Sequence, residues 1–169
     1  MDQTQDPIPP SLDVGPTLVV DHGQKRVTAK AVMRRPLDVV FDFADNPANE
    51  PLWQTSTTQS QQTSGGGTDV GTTGRGKGRF LSREVEATWR VTAYEPKRRV
   101  TFTIAAGPST LHGAWLFDPV PDGTRVRMSF AAPDGTRALS GRISDRVALE
   151  VLGRQLQGEL GNLKRLLEA

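Results

Sequence analysis

The sequence predicts an α+β fold in which a curved antiparallel sheet grips one long C-terminal helix. Three observations carry this. Residues 140–169 repeat leucine at a helical period: Leu149, Leu152, Leu156, Leu160, Leu163 and Leu167 fall at spacings of three and four. The middle of the chain alternates apolar and polar residues in runs separated by turn residues. These runs follow one another without intervening helices, which points to an antiparallel sheet rather than strand–helix repeats. An amphipathic helix of that length needs a broad apolar surface, and the sheet supplies it.

The 169 residues suffice for one domain with a real core. A hydrophobic fraction of 36% and a mean hydropathy of −0.44 predict a soluble protein. No apolar run approaches the roughly 20 residues of a membrane span, so no membrane insertion is expected. The N-terminus has no signal-peptide pattern. With no cysteine, disulfides, thiol catalysis and cysteine-ligated metals are excluded, and a cytoplasmic location is expected. The net charge of +2 conceals an asymmetry. Residues before Gln24 hold four acids (Asp2, Asp6, Asp13, Asp21) and no Lys or Arg, leaving +6 (+2 minus −4) on the rest. The basic residues alternate along strands rather than cluster, and no nucleic-acid motif accompanies them, so no nucleic-acid partner is expected.

In chain order, residues 1–24 are rich in Pro, Asp and Gln and read as a flexible tail; Leu18-Val19-Val20 is its one segment able to add a short strand or cover a groove. The domain proper spans 25–169. Residues 26–33 form the first strand, with Val27, Ala29, Ala31 and Met33 on one face. Pro36 opens a short helix whose apolar face is Leu37, Val40, Phe41 and Ala44, and ANEPLW adds a second helical turn ending at Trp53. Residues 54–63, rich in Thr, Ser and Gln, read as an exposed edge strand, and Ser64 to Gly67 as a loop.

The glycines at 71, 74, 76 and 78 resemble a phosphate loop. Lys77 is followed by Gly78 rather than Ser or Thr, however, and the run leads into a strand. Alternate glycines in a strand mark curvature or the close approach of another backbone. Residues 84–95 place Val85, Ala87, Trp89, Val91 and Ala93 on one face. Pro96-Lys97-Arg98 turns into a strand with Val100, Phe102 and Ile104 inward. After Gly107-Pro108, Leu111, Gly113, Trp115 and Phe117 share a face. Asp122-Gly123 is a hairpin turn, and Val126, Met128 and Phe130 follow. Pro133-Asp134-Gly135 leads to the helix, with Thr136 or Ser140 as candidate N-cap. Ile143 and Val147 extend its apolar stripe upstream; Arg146, Glu150, Arg154, Gln157, Lys164 and Arg165 form its solvent face.

The order strand, two short helices, six strands, long helix resembles the START-like (SRPBCC) superfamily, in particular its bacterial polyketide cyclase/dehydrase-type members. The resemblance covers about residues 26–169. It rests on PLDVVFDFADNPANEPLW, VTAYEPKRRVTF, WLFDPVPDGTRVRMSF and the closing LKRLLEA. It implies a helix-grip fold, a sheet of about seven strands, and a cavity between sheet and helix that binds a hydrophobic ligand of lipid, sterol or polyketide type.

Mapped onto the alternation, the ligand-facing set is Trp53, Trp89, Val91, Phe102, Ile104, Trp115, Phe117, Met128 and Phe130 from the sheet side, with Ile143, Val147 and Leu156 from the helix. Three tryptophans suit a flat, mostly apolar ligand; the same residues also suit a solid core. Three functions follow: a hydrophobic-ligand binder, a cyclase or dehydrase with acid–base groups in the cavity, or a protein–protein module with a packed interior. The resemblance implies an inward arginine for aromatase chemistry, whereas alternation turns Arg90 outward. His112 is the candidate titratable group, on the face opposite Trp115. His22 belongs to the tail, Asp42 and Asp45 to the surface or a cap of the first short helix, and Arg75, Lys77 and Arg79 to a solvated strand or cavity mouth. Two histidines without a carboxylate cluster do not make a metal site, Ser109 and Ser140 lack a nucleophile-elbow frame, and no cofactor is indicated. A monomer or homodimer is expected.

Overall fold

Apolar alternation becomes sheet wherever a partner strand can use it. The computed structural model describes residues 15–137 and 141–169. Its strands are β1 (Thr17–Asp21), β2 (Arg26–Met33), β3 (Thr57–Gln62), β4 (Thr73–Phe80), β5 (Arg83–Glu95), β6 (Arg99–Ala106), β7 (Ser109–Val120) and β8 (Gly123–Ala131). Between β2 and β3 lie α1 (Leu37–Ala44), a 3-10 turn (Pro47–Asn49) and α2 (Glu50–Trp53); α3 (Asp145–Glu168) closes the chain. The described strands form one antiparallel sheet in the order β1-β2-β8-β7-β6-β5-β4-β3. The curved sheet with a long helix across it is the predicted helix-grip architecture, with one strand more than the expected seven.

That strand is β1. Leu18–Val20 takes the strand alternative open to it, pairing with Val27–Ala29. Leu18 and Val20 pack against Gly153 of α3, where an added Cβ would lie 3.0 Å from Leu18. The first part of the expected tail, residues 1–14, lies outside the described residues.

Val27, Ala29, Ala31 and Met33 of β2 are all fully buried, facing α3. Leu149, Leu156, Leu160 and Leu163 are at most 1% exposed; each such side chain contributes about 1.5–3 kcal/mol of burial free energy. The long β2–β3 connection carries the chain to the far edge of the sheet, and its helices roof the concave side. Polar β3 is that edge.

Four details depart from the sequence reading. The N-cap of α3 is Ser144, whose Oγ accepts from the Val147 N–H; Ser140 lies outside the described residues. Thr136 instead donates its N–H and hydroxyl to Asp145 Oδ1 (2.8 and 2.9 Å). Ile143 precedes the helix, and Val147, two residues before Leu149, is rotated about 200° from it; they are 38% and 49% exposed. Lys164 is buried rather than solvated: its stem packs down and its Nζ donates to Val32 O and Glu168 Oε1, both at 2.7 Å. Finally, a register shift between Val91 and Ala93 reverses the alternation, so that Tyr94, opposite buried Val100, faces inward.

Candidate functional site

A cavity of about 220 Å³ lies between the sheet, the α1–α2 crossover and α3. Its floor is built by alternation. Trp89 and Val91 of β5, Phe102 and Ile104 of β6, Trp115 of β7 and Met128 and Phe130 of β8 border it, and Leu156 of α3 borders it from above. Phe102 stands edge-on to Trp115 (5.3 Å between centroids) and to Phe130 (5.9 Å). Two glycines make room for this set. A Cβ at Gly113 would lie 2.3 Å from the Phe102 ring, and one at Gly74 would lie 2.0 Å from the Trp89 indole. The alternate glycines of β4 thus serve close approach: at Gly78 the neighbour is the Ser56 carbonyl, 2.5 Å from an added Cβ.

The remaining residues of the expected set stand elsewhere. Trp53, 1% exposed, packs behind Trp115 with centroids 5.8 Å apart. Phe117 meets Phe41 edge-on at 5.0 Å beneath α1. Ile143 and Val147 do not border the cavity.

One end of the cavity is polar, and the sequence reading missed it. Asp45 at the end of α1, Glu50 of α2, Ser56 and Ser60 around β3, and Gln155 and Glu159 of α3 converge there. Glu159 is 3% exposed. Its Oε1 accepts from the Ser56 hydroxyl (2.5 Å) and the Ser56 N–H (3.2 Å); burial raises its pKa against the lowering effect of those bonds. Asp45 accepts from the Tyr94 hydroxyl at 2.8 Å, and burial raises its pKa too. Glu50 is partly buried. Desolvation, reinforced by the charges of Glu159 and Asp45, pushes its carboxyl up to about 7, with the nearby Ser60 hydroxyl opposing. Ser60 Oγ does not close a full hydrogen bond.

No ion pair among the described residues includes Glu50 or Glu159. Lys77, which also borders the cavity, is engaged by Glu86 at 3.1 Å. The indole N–H groups of Trp89 and Trp115 have no acceptor among the described residues. One signal for Glu159 was present in the sequence: it lies three residues after Leu156 and four before Leu163, inside the apolar stripe. Glu50 has none, because tertiary packing of a four-residue helix buries it.

The other candidates lie apart. Arg90 and His112 are exposed on the outer face of the sheet. His22 bonds Glu150 at 3.0 Å. Asp42 is exposed, as are Arg75 and Arg79. Among the described residues no group of three His, Asp or Glu side chains is placed to hold a metal ion, and no helix is long and apolar enough to cross a membrane.

A helix-grip sheet with an apolar cavity under its long helix defines a class, and the family comparison agrees with it. The model for polyketide cyclase/dehydrase and lipid transport proteins matches residues 24–168, and the chain belongs to that family. The START-like resemblance is thereby borne out. No curated protein matches the sequence. Solved structures are similar in fold at low identity. A protein of Rhodobacter sphaeroides is 18% identical with a TM-score of 0.64, covering 90% of this chain and 98% of that one. Ms6760 of Mycobacterium smegmatis is 12% identical with a TM-score of 0.68, covering 89% and 95%. DynU16, from the dynemicin biosynthetic locus, is 20% identical with a TM-score of 0.62, covering 86% of this chain and 48% of that one.

Proposed function

We propose that the protein binds a small hydrophobic molecule in the cavity between the sheet and α3. The observation that carries this reading is the void itself, bounded by Trp89, Phe102, Trp115 and Phe130. The space is partly open to solvent at its polar end, and at its aromatic end a solid core would close it, since protein interiors pack to crystal density. Its size limits the ligand. An apolar cavity of roughly 150 Å³ accommodates benzene, and common ligand pockets run to roughly 300–1,000 Å³. At about 220 Å³, a molecule of one or two rings, or a short acyl chain, fits better than a sterol or a long polyketide. Membership in a family that spans cyclases and lipid transport supports the ligand class. The test is native mass spectrometry of protein purified from its own host, followed by extraction of bound material. A discrete aromatic or acyl molecule near stoichiometric occupancy is expected. An empty protein whose tryptophan emission no hydrophobic probe alters would overturn the reading.

A second reading, an acid–base enzyme acting on a molecule of that class, is favoured by Glu50 and Glu159. A carboxyl with a pKa near neutrality, beside a second one holding its own donors, is the arrangement general acid–base transfer uses. Turnover of the extracted ligand or its precursors, abolished by Glu50→Gln, separates catalyst from carrier.

A further inference from the structure

The polar end of the cavity has an imbalance that the apolar end does not explain. Three carboxyl groups, from α1, α2 and α3, border one small space, and no ion pair among the described residues includes any of them: Lys77 is taken by Glu86, and Arg79, which borders the space too, is exposed. Two of the three have donors from the protein. Glu159 holds both donors of Ser56, and Asp45 holds the Tyr94 hydroxyl. Among the described residues Glu50 has one donor near it, the Ser60 hydroxyl, and that bond is not closed. Burial disfavours charge on all three, and the proton stays on the member with the fewest donors. A protonated carboxyl is a hydrogen-bond donor. A second, independent observation points the same way: Trp115, 7% exposed and bordering the same cavity, has an indole N–H with no acceptor among the described residues, as has Trp89.

We propose that this end of the cavity is a subsite for an uncharged oxygen acceptor, a ketone or phenol oxygen on the hydrophobic ligand, held by the proton that Glu50 carries, with the Ser60 hydroxyl beside it. This rests on the ligand-binding reading above. It predicts selection against amines at low pH, where the subsite is neutral. It also predicts that the oxygen's advantage is lost as Glu50 ionises; the groups facing Glu50 are Asp45 from α1, Glu159 from α3 and Ser60 from β3, with Lys77 and Arg79 on the β4 side.

The experiment compares three probes of matched shape, α-tetralone, tetralin and aminotetralin, by quenching of tryptophan emission, on the wild type, Glu50→Gln and Glu50→Leu. In the wild type, tetralone should bind about tenfold tighter than tetralin at about pH 5.5, and the advantage should vanish at about pH 8.5. Glu50→Gln keeps an N–H donor at every pH and should retain the advantage across the range. Glu50→Leu should remove it throughout. Equal binding of tetralone and tetralin at both pH values overturns the subsite and leaves the ligand-binding reading standing. Aminotetralin binding tightest, and tighter as pH rises, also overturns it, in favour of a cation site. Failure of every probe to bind removes the ligand-binding reading and the subsite with it. Far-UV circular dichroism checks each variant's fold, and Glu50→Gln, nearly isosteric, keeps the test decisive if Glu50→Leu does not fold.

Discussion

Glu50 gives the sharpest measurable consequence of the site, and it is one of stability rather than binding. Its carboxyl titrates near 7 in the folded protein against an ordinary 4.5, chiefly because burial disfavours the charge. Between those values the native state holds a proton that the unfolded chain has released. The native state therefore binds more protons than the unfolded one, and stability falls as pH rises. The contribution is fully present below about pH 4.5 and is lost by the time pH has passed about 7. At ~1.4 kcal/mol per pH unit, the gap between the two values corresponds to about 3 kcal/mol, and the partial exposure of the side chain reduces this to about 2–3 kcal/mol.

Glu50→Gln removes the titration and keeps the shape. We expect the variant to match the wild type at about pH 4.5 and to exceed it by about 2–3 kcal/mol at about pH 8.5. For a chain of this size that is about 5–10 °C in Tm. Urea unfolding followed by tryptophan emission, repeated across the range, gives the difference curve. Because Glu159 and Asp45 are raised by burial as well, the curve also carries their response to a neutral neighbour, in the same direction. A difference that stays flat with pH, or one in which the wild type gains on the variant as pH rises, would show a solvated, ordinarily ionised Glu50. It would refute the electrostatic account of the polar end.

Gly74→Ala places a Cβ 2.0 Å from the Trp89 indole and 2.7 Å from the Gln61 carbonyl; a loss of about 1–3 kcal/mol is expected, with a shift in tryptophan emission as Trp89 gives way. Leu160→Ala, at a position with 0% exposure on α3, should cost about 2–5 kcal/mol in urea unfolding, whereas Leu166→Ala, 46% exposed on the same helix, should stay within about 0.5 kcal/mol. Asp145 is held below its ordinary 3.8 by the Thr136 N–H and hydroxyl and by Lys25. Its contribution is therefore present above that value and lost as pH falls below it, and Asp145→Asn should lower stability near neutrality and flatten the acid limb of the stability curve.

The parts of the fold legible in the sequence are those where a local period coincides with a buried face. Val27, Ala29, Ala31 and Met33 alternate and are all fully buried; the leucine stripe of α3 and the polar edge strand β3 follow the same logic. Where a non-local event sets the phase, sequence reasoning fails. The bulge between Val91 and Ala93 turns Tyr94 inward, and nothing in VTAYE marks it. Val147 reads as part of the stripe until the cap at Ser144 fixes where the helix begins. β1 owes its place to packing on Gly153 from across the chain. The candidate site divides the same way. Its aromatic floor comes from alternation and was legible for Trp89, Phe102, Trp115 and Phe130. Its polar end joins residues of α1, α2, β3 and α3 that are distant in sequence, and only Glu159, a carboxylate at an apolar position of the stripe, left a local trace.

The distribution of unsatisfied groups favours the proposed binding cavity over a packing defect. A void left by imperfect packing has no reason to collect polar atoms, because each buried donor without an acceptor costs about 1–3 kcal/mol and apolar replacements of the same shape are available to the chain. Among the described residues, the buried side-chain atoms without partners are His22 Nδ1, Arg127 Nε, Ser60 Oγ and the indole nitrogens of Trp53, Trp89 and Trp115. Ser60, Trp89 and Trp115 border the one cavity, and Trp53 packs on Trp115. Glu50, with its raised pKa and no ion pair among the described residues, belongs to the same end. Each of these alone is tolerable. Their concentration around a single space means that the apolar alternative has been forgone there repeatedly while the rest of the core, from Val27 to Leu163, adopts it. On the ligand-binding reading, a guest whose acceptor one of these donors turns to meet would recover part of that free energy on entry, whereas a purely apolar filler would recover only its own burial.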